Sequence, residues 1–153
     1  MKSRMKNPAV LLPTAMEALQ GVHAAVTKTG LSETTIGLVQ IRASQINGCS
    51  VCLAMHGRHM KRAGETDERL FTIAGWRDTP FFTDAERAAL GLTEALTRLA
   101  DRSNPVPDAL WEEVKKHYDE PTLAALILAI SEINVWNRLN AATAQVVGEM
   151  KWG

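Results

Sequence analysis

The stretch that begins at Pro121 constrains the fold of this chain more than any other. Leu123, Leu126, Ile127, Ile130 and Ile133 leave it close to apolar around its whole circumference. A helix of that kind is buried, within a domain or between subunits, so the rest of the chain must supply surfaces that cover it. Those surfaces also read as helices. Met16, Leu19, Val22, His23 and Val26 keep a helical period that Gly30 stops. Ser32 is placed to cap a second helix with Ile36, Val39, Ala43 and Ile46 on one face. Asn47-Gly48 breaks the pattern, and a third helix runs on to Gly64.

Thr66 opens a shorter helix through Leu70, Ile73 and Ala74, and the loss of period from Trp76 to Phe82 predicts a loop. Thr83-Asp84-Ala85-Glu86 is a capping box, and the helix it starts carries Ala89, Leu90, Leu96 and Leu99. Ser103 to Pro107 is a rigid connector, with Pro107 suited to a first helical turn. Leu110, Val114 and Tyr118 follow on one face, and the last helix is expected over about 121–147. No alternating run suggests a sheet. One all-α domain over residues 1–153, built as a bundle of about six to seven helices, is expected.

A chain of 153 residues can bury about 68–70% of its unfolded surface, so it needs no disulfide to hold a core. Seventeen basic and seventeen acidic residues cancel, and neither sign forms a block. The mildly basic start, Met1 to Lys6, is too weak to imply a nucleic-acid or membrane partner. No apolar run reaches the ~18 residues of a membrane span, and the start lacks the apolar core of a secretory signal. The expected location is the cytoplasm, where a close cysteine pair is catalytic or metal-binding more often than a structural staple.

Both cysteines, Cys49 and Cys52, and two of the four histidines, His56 and His59, fall in one short stretch. On a helix these positions share a face about 80° wide. Two thiols one turn apart can close a reversible disulfide. The break at Gly48 leaves Cys49 at the helix N-terminus, where free amides and the dipole favour a thiolate and lower a thiol pKa from about 8.5 into the ~3.5–7.5 range. His56, one turn after Cys52, can take the thiol proton or hold the thiolate. A thiolate so formed can attack a peroxide O–O bond, giving a sulfenic acid that the neighbouring thiol resolves.

Plainer readings compete with this one. The pair can be two buried small hydrophobes. Zinc on Cys49, Cys52, His56 and His59 is disfavoured, because ligands along one helix would span about 15 Å and structural zinc staples separate segments. His59 by itself reads as a solvated residue. There is no glycine-rich phosphate loop, and no metal, flavin, haem or nucleotide cofactor is expected, since the cysteine pair can itself carry electrons.

The segment Ile41-Arg42-Ala43-Ser44-Gln45-Ile46-Asn47-Gly48-Cys49-Ser50-Val51-Cys52, followed by His56, resembles the core of the AhpD-like, carboxymuconolactone decarboxylase superfamily. Its members share a C-x-x-C-x-x-x-H signature on an all-helical fold. The core motif spans about 36–64, and the likeness continues through Trp76-Arg77, Phe81-Phe82-Thr83, Glu86-Arg87 and Thr93 to Leu96, as far as Ile133 to Arg138. The resemblance implies an alkylhydroperoxidase in which Cys52 attacks the peroxide, Cys49 resolves it and His56 belongs to a proton relay. It also implies an external dithiol reductant, which in the family can be a lipoyl group on a partner protein, and a homo-oligomer, trimer or hexamer. The helix dipole favours Cys49 as the thiolate; the neighbouring histidine and the resemblance favour Cys52.

Two positions depart from the family pattern. A glutamate twelve residues before the first cysteine is replaced by Gly37, and a histidine immediately before the second cysteine by Val51. Glu33 and Gln45 are the nearest candidates to stand in, but they read first as an exposed first-turn acid and a polar packing residue. Glu94 and Asn134 lie in apolar stretches and need partners if buried, so they read first as structural network residues. Trp136-Asn137-Arg138 reads as a pin between helices or subunits. Two other functions stay open. One is a lactone decarboxylase, which needs acid–base groups rather than a redox pair. The other is a disulfide switch without turnover, made credible by Gly37.

Overall fold

The computed structural model describes residues 1–149. Its helices are α1 (Pro8–Leu11), α2 (Pro13–Thr27), α3 (Glu33–Asn47), α4 (Ser50–Arg62), α5 (Asp67–Thr72), α6 (Asp84–Thr97), α7 (Asp108–Lys115) and α8 (Glu120–Thr143), with a 3-10 turn at Ile73–Asp78. No strand occurs among the described residues, and none of their helices is long and apolar enough to cross a membrane. The all-α class expected from the sequence holds.

α3 is the central helix. It packs on α4, α6 and α8, while α2 covers another side of α8 and α7 backs α6. The expected caps form: the Ser32 side chain accepts from Thr35 N–H, and Thr83 and Glu86 close a reciprocal capping box. The near-apolar first half of α8 is buried, as its pattern demands. Leu123, Leu126, Ala129 and Ile130 pack with Val26, Val39, Leu92 and Val114. Enclosure is incomplete, because Leu128 and Val135 of α8 are exposed.

Past Ile133 the inward face of α8 changes character. Asn134, Asn137, Asn140 and Thr143, spaced one helical turn apart, are all buried. Asn47 of α3 donates to Asn134 Oδ1 (3.0 Å) and Asn137 Oδ1 (2.9 Å), and Asn137 Nδ2 donates to Ser44 Oγ (3.0 Å). The contact between α3 and α8 is therefore greasy at one end and amide-bonded at the other. The cysteines sit at the amide end.

Several boundaries differ from expectation. Trp76 to Asp78 belong to the 3-10 turn, not to a loop. Arg87 of α6 donates to the carbonyls of Trp76 (2.8 Å), Arg77 (2.9 Å) and Thr79 (3.2 Å) and so closes the turn from outside its own sequence. α6 stops at Thr97, which leaves Leu99 beyond it and exposed. Pro107 takes the cap position of α7 rather than a place inside its first turn. α8 ends at Thr143 instead of about 147, because Ala144 adopts a left-handed conformation. With α1 the described residues hold eight α-helices rather than six to seven. α1 is a single turn whose start is capped by Asn7, too short to show a period.

Candidate active site

α3 ends at Gly48, whose φ of +67° turns the chain sharply and suits a residue without a Cβ. Cys49 then becomes the N-cap of α4, and its sulfur accepts the Cys52 N–H at 3.3 Å where a serine or aspartate oxygen commonly would. Cys52 follows one turn later, with a Cα–Cα distance of 5.4 Å, and the two form a disulfide. Both are buried among Ala43, Val51, Ile133 and Trp136, Cys52 at 1% exposure. These are the two residues expected to act as attacking and resolving thiols.

A cavity of about 330 Å³ opens from Cys52, and Cys49 does not line it. Val10, Met16, Met55 and Trp136 make its walls largely apolar. His56, the expected relay residue, shares this cavity with Cys52. Burial, reinforced by the nearby His59 and His23, lowers its pKa from 6.5 to about 4. A neutral imidazole therefore faces the cavity at neutral pH. Such a group can accept a proton, though as a weaker base than a free imidazole, and its neutrality argues against a standing ion pair with a thiolate.

The other candidates separate from this site. His59 is exposed and lines a different hollow with Glu33, which is also exposed. Gln45 accepts from Arg42 Nη1 at 3.2 Å and is not part of the cavity. Neither stands in for the glutamate. Nor does position 37 have room for one: a Cβ on Gly37 would collide with the Met60 side chain, which fills the space between α3 and α4. Glu94 and Asn134 are network residues. Glu94 accepts from Arg42 Nε (2.8 Å), Trp76 Nε1 (3.1 Å) and Arg77 Nη1 (2.9 Å), and Asn134 donates to Thr97 Oγ1 (3.1 Å). Of Trp136-Asn137-Arg138, only Asn137 pins two helices, joining α8 to Ser44 and Asn47 of α3; Trp136 bonds Glu132 and Arg138 bonds Asn134 within α8 itself. Among the described residues no three His, Cys, Asp or Glu side chains are grouped to hold a metal ion.

Four cavity residues went unremarked in the sequence. Glu132 of α8, 7% exposed, accepts from Trp136 Nε1 (3.3 Å) and lies 3.4 Å from His23 Nδ1, so the cavity holds a carboxyl group that arrives from another helix. Gln40 of α3, also buried, adds an amide to the cavity wall. Asn140 Nδ2 donates to Cys52 Sγ at 3.3 Å and to Cys49 Sγ at 3.6 Å. Asn7 completes the set. The signal for two of them was present: Glu132 is an acid in an apolar stretch, as Glu94 is, and Asn140 continues the one-turn spacing of Asn134 and Asn137.

The pattern of the carboxymuconolactone decarboxylase family matches residues 13–95, which include Cys49, Cys52 and His56 but not α8. The uncharacterised protein YdfG of Bacillus subtilis (strain 168) is 36% identical over 132 residues, covering 86% of this chain and 88% of that protein. The crystal structure of ATU0492 from Agrobacterium tumefaciens, a protein of unknown function named for the antioxidant defence protein AhpD, superposes with a TM-score of 0.87 at 31% identity, covering 97% of this chain and 100% of that one. An uncharacterised peroxidase-related protein from Silicibacter sp. TM1040 shares the fold, with a TM-score of 0.77 at 19% identity over 90% of this chain and 72% of that one.

Proposed function

Because this chain belongs to the carboxymuconolactone decarboxylase family and has the AhpD-like fold, we propose that it is a thiol-dependent peroxidase acting on organic hydroperoxides through Cys52 and Cys49. The observation that carries the proposal is that, of two cysteines close enough to bond, Cys52 lines the apolar cavity and Cys49 does not. Starting from the reduced pair, the neutral His56 takes the Cys52 proton. The thiolate attacks the distal peroxide oxygen, forming an S–O bond as the O–O bond breaks. The departing alkoxide takes a proton back and leaves as an alcohol. Cys49 then attacks the Cys52 sulfenic acid, forming the disulfide and releasing water. A dithiol of the lipoyl type returns two electrons by exchange, restoring both thiols.

Glu132 with His23 supports this reading from the other side of the cavity. The carboxyl group is buried and the imidazole is half exposed, so a proton can pass between cavity and solvent without a glutamate at position 37. Assembly into a homo-oligomer, trimer or hexamer, goes with the proposal; a monomer in sedimentation at micromolar concentration refutes that part.

The test is turnover of an organic hydroperoxide with a dihydrolipoyl donor in wild type, Cys52→Ser and Cys49→Ser. Sustained turnover that Cys52→Ser abolishes at the first oxidation supports the peroxidase and its nucleophile. One disulfide formed and then a stall favours a redox switch. Lactone decarboxylation that survives loss of both cysteines would instead make the chain a lyase.

A further inference from the structure

The orientation of one amide next to the disulfide is fixed by a chain of hydrogen bonds with no freedom in it. Pro8 has no N–H, so the Ala9 N–H is the first free donor of α1. It can only donate, and it meets Asn7 Oδ1 at 2.9 Å. Asn7 Nδ2 is thereby turned the other way, 2.8 Å from Asn140 Oδ1. Since Asn140 accepts at its oxygen, its Nδ2 points at the sulfurs, 3.3 Å from Cys52 and 3.6 Å from Cys49. Asn7 and Asn140 are both buried.

The two sulfurs are served differently. Cys49 Sγ also accepts the Cys52 N–H at the helix end. Cys52 Sγ accepts a hydrogen bond from Asn140 alone among the described residues. A sulfur this buried loses most of the hydration that would support a negative charge, and a donor aimed at it replaces part of that support. We propose that Asn140 is the donor that holds the Cys52 sulfur as a thiolate once the pair is reduced, with Asn7 the positioning residue that fixes which end of the amide faces it. The helix-end amides serve Cys49 and the side-chain amide serves Cys52, so the dipole at the start of α4 need not select Cys49 as the attacking thiol. Asn140 has this role in turnover only if Cys52 attacks the peroxide, as proposed above, but its effect on the thiol is measurable without any peroxide.

The experiment titrates the Cys52 thiol by thiolate absorbance, in reduced protein carrying Cys49→Ser, where serine keeps the helix cap. Adding Asn140→Ala should raise the thiol pKa by about one unit, a roughly tenfold loss of thiolate at lower pH. Asn7→Ala should raise it less. Asn7→Asp keeps the cap on Ala9 but offers Asn140 a second acceptor, drawing its Nδ2 away and turning its oxygen to the sulfur. That variant should raise the pKa more than Asn7→Ala does, and the excess should shrink when Asn140→Ala is also present, leaving only the direct repulsion of the added carboxylate. An unmoved titration in Asn140→Ala overturns the proposal, and an excess of undiminished size without Asn140 overturns the part given to Asn7. Should Asn140→Ala fail to fold, equal titrations for the two Asn7 variants overturn it as well. Shifted titrations beside a complete lack of hydroperoxide turnover would support the amide and sink the peroxidase.

Discussion

Glu132 of α8 stands 3.4 Å from His23 of α2 in the cavity that Cys52 faces. Trp136 Nε1 holds the other carboxyl oxygen at 3.3 Å, so the group has a fixed orientation. Glu132→Gln keeps the volume and an acceptor for Trp136 but cannot carry a proton. The expected result is a fall of about 10²-fold in the rate of peroxide consumption, within the usual worth of a positioned acid or base. Cys52 should still react with an alkylating agent at its normal rate. Stopped-flow oxidation set beside alkylation separates the two.

His56 gives a prediction in pH. Burial, with added repulsion from His59 and His23, lowers its pKa from 6.5 to about 4. Between those values the unfolded chain binds a proton at this site and the folded chain does not, so folding stability falls as pH drops through the window. The full loss is on the order of 3 kcal/mol. Chemical denaturation of the oxidised protein from pH 7 to 4 should show this slope. His56→Gln should flatten it, and an NMR titration of wild type should put the His56 midpoint far below that of an exposed histidine.

What could be read from the sequence was whatever depends on near neighbours. Ser32, Thr83 with Glu86, and Gly48 each fix a helix end through bonds within a few residues, and each was visible as a motif. Cys52 and His56 share a cavity because one helix carries both. What escaped depends on partners far along the chain. Asn7 meets Asn140 across 133 positions, Arg87 closes the 3-10 turn eleven positions before it, and Glu132 reaches His23 across 109. Met60, which occupies the space a side chain at position 37 would need, gave no local sign of doing so.

That contact makes a prediction in stability. A methyl group on Gly37 would overlap the thioether of the buried Met60, which must shift to admit it. Gly37→Ala should therefore destabilise by about 1–3 kcal/mol despite the better helix propensity of alanine. Met60→Ala alone should cost about 2–5 kcal/mol as a cavity. Together they should cost clearly less than the sum, since each relieves what the other causes. Strict additivity in denaturant unfolding would show that the two side chains do not compete for this space. Gly37→Glu is expected to destabilise without adding peroxidase activity.

The last prediction concerns Glu94, which ties α3, α6 and the 3-10 turn together. Burial alone would raise its pKa, but hydrogen bonds from Trp76, Arg42 and Arg77, with the Arg42 charge, bring it down from 4.5 to about 2. A carboxylate depressed in this way stabilises the fold above about 4.5 and loses that contribution as pH falls toward 2. Glu94→Gln leaves the buried Arg42 guanidinium without its counter-charge, so at pH 7 it should destabilise by about 3 kcal/mol. The gap between variant and wild type should then close as pH drops, because acid removes from the wild type the charge that the substitution has already removed. Unfolding curves at pH 7, 4 and 2.5 would read this directly. A gap that stays constant with pH would mean the substitution acts through packing, and that the charge pairing of Glu94 with Arg42 contributes nothing to the fold.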